Sequence, residues 1–144
     1  MADLEPLIRY RKYQLDEKQR FLARLYQDAE RLLSRKEGML DQIQREKELT
    51  DADVQPQMIV TFLSYVERMQ EQIALLDIEI QRVETRIEIA IDDMRESFAE
   101  LKKVEITHQR RLDEKKAELM KREEAMFSEI ALQQYVDKLK KGES

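Results

Sequence analysis

The chain has 144 residues; 40% are charged, 6% are aromatic, and there are two glycines, two prolines and no cysteine. So few turn-formers exclude a sandwich, a barrel or a doubly wound sheet, and the missing cysteines exclude disulfides and thiolate metal sites. The formal charge of −5 argues against nucleic acid as a partner, and no apolar run approaches the ~20 residues that cross a bilayer.

What this composition supports is an all-α chain of very long helices, read as one elongated domain. The opening Met-Ala-Asp-Leu-Glu-Pro has neither a basic nor an apolar leader segment. No secretion signal is therefore expected, and a cytoplasmic location is.

A first helix is expected over residues 4–49. Asp3 can cap it, and Pro6 sits in the opening turn, where a missing N–H costs nothing. Its heptad seam reads Leu4, Ile8, Leu15, Leu22, Leu25, Ala29, Leu32, Met39 and Ile43, interrupted by Arg11, Lys18, Lys36 and Glu46. Gly38 falls on the outer face, where it is tolerated at ~1 kcal/mol against alanine. Residues 50–56 form the one clear break, with short cap-forming side chains ahead of Pro56.

A second helix is expected over residues 57–139, some ~120 Å at 1.5 Å per residue, ending in a frayed tail at 140–144. Its seam runs Ile59, Phe62, Val66, Met69, Ile73, Leu76, Ile80, Val83, Ile87, Ala90, Met94, Ser97, Leu101 and Val104. In the same frame His108 and Arg111 follow, so the stripe stops; a weaker one resumes at Leu112, Leu119 and Met126. A short link makes the two helices antiparallel neighbours. A bend near Asp53 pairs residues whose numbers add to about 105, such as Leu25 with Ile80 and Leu15 with Ala90. The expected fold is an antiparallel two-helix coiled coil whose second helix projects beyond the hairpin.

Charge is uneven along this arrangement. Residues 1–24 and 102–124 each carry net +2, whereas 25–101 carry nine cations against eighteen carboxylates. Two different partners, one at each end, account for that asymmetry better than a uniformly solvated surface does.

Chemistry is not expected. Glu105-Ile106-Thr107-His108 has the spacing of a carboxylate-bridged metal helix, but the chain has one histidine and such sites need two. Here His108 reads as a polar interruption. No Gly-rich phosphate loop and no serine with a neighbouring base are present, so neither catalytic residues nor cofactors are assigned. The late apolar residues, among them Met126, Ile130 and Tyr135, lie on a helix without an intramolecular mate and read as a partner surface. Membrane binding by that helix is disfavoured, because residues 125–144 carry no net charge.

Several stretches carry a family likeness. Leu7-Ile8-Arg9-Tyr10-Arg11-Lys12 followed by Leu15-Asp16-Glu17-Lys18-Gln19-Arg20 resembles the opening of FliJ-type flagellar export proteins. Phe62-Leu63-Ser64-Tyr65 with Gln70 and Leu75-Leu76, then Phe98-Ala99-Glu100-Leu101-Lys102-Lys103-Val104-Glu105, are similar to its middle and late segments. Arg122-Glu123-Glu124 with Glu129-Ile130-Ala131 and Tyr135 resembles its C-terminal pattern.

The resemblance implies a non-enzymatic stalk and chaperone of the flagellar type III export apparatus, similar to the gamma stalk of rotary ATPases. It implies a place at the flagellar base, peripheral to the inner membrane. Implied partners are the export ATPase hexamer, the export gate protein and substrate chaperones. By the same likeness Arg9, Arg11, Lys12, Lys115, Lys116 and Arg122 contact the ATPase ring. Tyr65, Met69, Gln72 and Leu76 face the gate, although Met69 and Leu76 also belong to the seam. The competing expectation is a coiled-coil adaptor or injectisome stalk homologue that self-associates through its C-terminal helix.

Overall fold

The computed structural model describes residues 3–52 and 55–142. It is all-α: α1 spans Glu5–Ala52 and α2 spans Pro56–Gly142, and the two form a hairpin in which α2 is the longer. Asp53 and Val54, where the sequence places the bend, and Glu143–Ser144 of the expected tail lie outside the described residues.

Both helices overrun their expected ends. The Asp3 carboxylate accepts the Glu5 amide at 3.1 Å, satisfying a donor that has no intrahelical acceptor. At the other end α1 continues through residues 50–52 where a loop was expected, and the Thr50 hydroxyl donates to the Glu46 carbonyl at 2.9 Å. Pro56 opens α2, and the Gln55 carbonyl accepts the amides of Met58 and Ile59. Lys140 and Lys141 stay helical, and their charge complements the helix C-terminus. No described residue has positive φ, and α1 passes through Gly38 without a break.

The chain divides into two compact units, Lys12–Ala99 and Met1–Arg11 with Glu100–Ser144. In the first, the core is a single seam. Leu32 packs in one cluster with Leu76, Ile80 and Val83; Leu22 and Leu25 pack in another with Ala90. Every predicted seam position of α2 from Phe62 to Ser97 is buried or half-buried, and only Ile59 is exposed.

The pairing, however, lies one heptad from the expected one. Lys36 bonds Asp77 at 2.7 Å and Lys18 meets Asp93 at 3.8 Å. Together with the core clusters, these pairs place facing residues at numbers adding to about 112, so Leu22, not Leu15, faces Ala90.

A heptad slip leaves apolar residues against apolar residues, so the seam does not choose between the two pairings. The charges do. The expected pairing would set Lys18 beside Arg86 and Lys36 beside Gln70, whereas the observed one gives both lysines an aspartate. Lys18 and Lys36, two of the four polar interruptions, thus select the register.

In the second unit Leu101 is buried, while Leu4, Ile8, Val104 and His108 are half-buried. The seam therefore persists to His108, one turn beyond its predicted end. From Gln109 to Gly142 every residue of α2 is exposed.

Candidate interaction surfaces

Of the residues expected to face an ATPase ring, Arg9, Lys12, Lys115, Lys116 and Arg122 are exposed. Arg122 bonds Glu118 at 3.0 Å, one turn back on the same helix. Arg11 differs: it stands at a seam position, is half-buried and is engaged within the fold. Among the described residues no three His, Cys, Asp or Glu side chains converge to hold a metal ion. Nor is any helix long and apolar enough to cross a membrane.

The expected gate residues fall at two places on the hairpin. Leu76 is only 5% exposed and belongs to the cluster with Leu32, Ile80 and Val83, so most of its side chain is taken up in the core. The cause is its seam position: an apolar side chain there is covered by α1. Met69 is half-buried for the same reason, and Gln72 is exposed.

Tyr65 lines an open groove of about 450 Å³ beside Glu46, Thr50, Phe62 and Arg68. Its hydroxyl is occluded and makes no hydrogen bond. Gln72 and Leu76 instead line a separate depression with Arg35, Met39, Leu75 and Glu79, so two of the expected gate residues meet there.

Met126, Ile130 and Tyr135 are exposed, as are Phe127, Leu132 and Leu139 around them. Between residues 126 and 139 apolar side chains occupy all sides of α2, a pattern that requires cover on more than one face.

A further row was missed in the sequence. Tyr26, Leu33 and Leu40 recur every seven residues on α1, each next to a seam position, and all three are about half exposed. A reading limited to two seam positions per heptad overlooks a third apolar position beside them, which is the mark of a helix built for a wider bundle. No family model, curated protein or solved structure matches the chain.

Proposed function

We propose that this chain is a non-enzymatic stalk and chaperone of the flagellar type III export apparatus, linking the export ATPase ring to the membrane export gate from the cytoplasmic side. One observation carries the reading: α2 outlasts α1, and its residues Gln109–Gly142 are wholly exposed yet rich in large apolar side chains. Such a segment is suited to a partner that encloses it. The exposed cations Arg9, Lys115, Lys116 and Arg122 would set the register and on-rate of that contact. The likeness to FliJ-type proteins supplies the identity of the partners: export ATPase, gate protein and substrate chaperones. At the gate, Tyr65 and Gln72 are the contacts most compatible with the packing, and Leu76 offers little surface.

Co-purification with the export ATPase tests this. The chain should promote ring assembly and ATP hydrolysis, and replacing Arg9, Lys115, Lys116 and Arg122 by Glu should weaken binding at least tenfold. Unchanged assembly and hydrolysis would count against the reading.

One observation favours a second reading. Leu112, Leu119, Met126 and Ile130 lie on one side of α2 and could pair with the same helix of a second copy, making the protein a self-associating adaptor or injectisome stalk homologue. A sedimenting dimer that dissociates when residues 112–144 are removed would select it.

A further inference from the structure

The apolar row Tyr26, Leu33 and Leu40 lies within Lys12–Ala99 and has no counterpart in the two-helix core. Its side of the hairpin is fixed by the Lys36–Asp77 pair. Lys36 stands at the seam position next to this row, and its partner Asp77 stands at the equivalent flank of α2. Heptad geometry then places Glu30 and Glu37 on the outer rim of the row along α1, with Glu84 and Glu88 joining Asp77 along α2.

All five carboxylates are exposed, and on this side of the hairpin between Tyr26 and Leu40 the one cation is Lys36, already bound to Asp77; Lys47 follows one heptad beyond Leu40. All seven arginines between Phe21 and Met94 fall on the opposite side of the hairpin. Lys18 marks that side, reaching Asp93 on the other flank of α2.

We infer that this acid-rimmed apolar row is a docking site for a basic amphipathic helix of a partner protein, which packs along α1 as a third helix. The row spans two heptads, ~21 Å at 1.5 Å per residue, so about three heptads of partner helix cover it. Apolar residues at the partner's seam would fill the spaces between Tyr26, Leu33 and Leu40, and Lys or Arg on its flanks would meet Glu30, Glu37 and Glu84.

A second copy fits poorly. Antiparallel self-pairing of this face sets Glu30 against Glu37, and pairing with the arginine-bearing side is heterologous, giving a ring or a filament and not a two-fold dimer. The same carboxylates repel anionic lipid and nucleic acid. The inference stands apart from the export reading, since it uses neither the C-terminal helix nor the export ATPase.

A fluorescently labelled 21-residue helix with Leu at its seam and Lys or Arg on both flanks is the probe, read by anisotropy with the full chain at 150 mM salt. It should bind. Leu33→Ser should weaken it at least tenfold, as should Glu30→Lys with Glu37→Lys, while a probe with Glu on its flanks should not bind. Circular dichroism reports whether each variant keeps its helix. Because the charge variant alters exposed positions only, it serves if Leu33→Ser loses structure. Absence of binding, equal binding of the acidic probe, or binding indifferent to both variants would overturn the assignment. So would a dimer of the chain alone that Leu33→Ser dissolves, because the face would then belong to a second copy.

Discussion

Lys36 shows how little energy decides a structure of this kind. Its side chain is one-third exposed, and exposed ion pairs contribute only ~0.2–1 kcal/mol each. That is small beside the ~2–5 kcal/mol lost when a buried leucine such as Leu32 is cut to alanine. The seam, however, is equally satisfied one heptad away, so its larger energy cancels and the small terms decide. Gly38 illustrates the opposite case, a residue that decides nothing. It sits inside α1 with ordinary backbone angles, and a Cβ built there meets no atom within 4 Å. Alanine removes the entropy penalty of glycine without creating a clash, so Gly38→Ala should stabilise the hairpin by about 0.5–1 kcal/mol. Urea unfolding followed by circular dichroism measures it: the midpoint should rise with an unchanged slope.

At the scale of the helices, the heptad pattern made the hairpin legible and left its register open. The seam positions of α2 from Phe62 to Val104 are buried or half-buried as the spacing required, because a 3.5-residue repeat of apolar side chains avoids water by facing a partner helix. Turn length could not settle the alignment. With α1 ending at Ala52 and α2 starting at Pro56, a symmetric turn points about midway between the two seam-compatible pairings. The signal that resolves it, an aspartate within reach of each seam lysine, was present at Asp77 and Asp93, but it is readable only once pairs are tested together. Leu76 illustrates a related point: a likeness assigns a contact by position, while packing assigns it by face, and at 5% exposed its side chain offers little surface. The register is open to direct chemical test, because the chain has no cysteine of its own. Leu22→Cys with Ala90→Cys should oxidise readily to an intramolecular disulfide. Leu15→Cys with Ala90→Cys should not, since seven helical residues displace the thiol by ~10 Å, beyond the ~7 Å Cα separation a disulfide spans. The reverse result would restore the register read from the sequence.

At the scale of the molecule, buried and exposed apolar side chains are segregated along α2. Among the described residues the eight buried side chains all lie between Leu22 and Leu101. The part from Gln109 onward is held by its own backbone hydrogen bonds and by local pairs such as Arg122–Glu118. A solvated single helix of that kind is marginal on its own, because nucleation is costly and tertiary packing supplies most helical stability. Amide hydrogen exchange should therefore divide the helix: Leu76–Leu101 exchange only with global unfolding, whereas residues 109–142 exchange orders of magnitude faster. Truncation after Arg111 should leave the melting temperature within about 2 °C, since no buried contact is removed. Circular dichroism intensity should fall in proportion to the helix deleted. Protection of residues 109–142 equal to that of the core, lost on dilution, would mean that a second copy covers them. Fast exchange that becomes slow only on adding a partner would mean that their apolar side chains are kept exposed for that partner. The energy of ordering the segment is then drawn from binding, which ties the affinity of this end to the helix propensity of residues 109–142 as well as to their contacts.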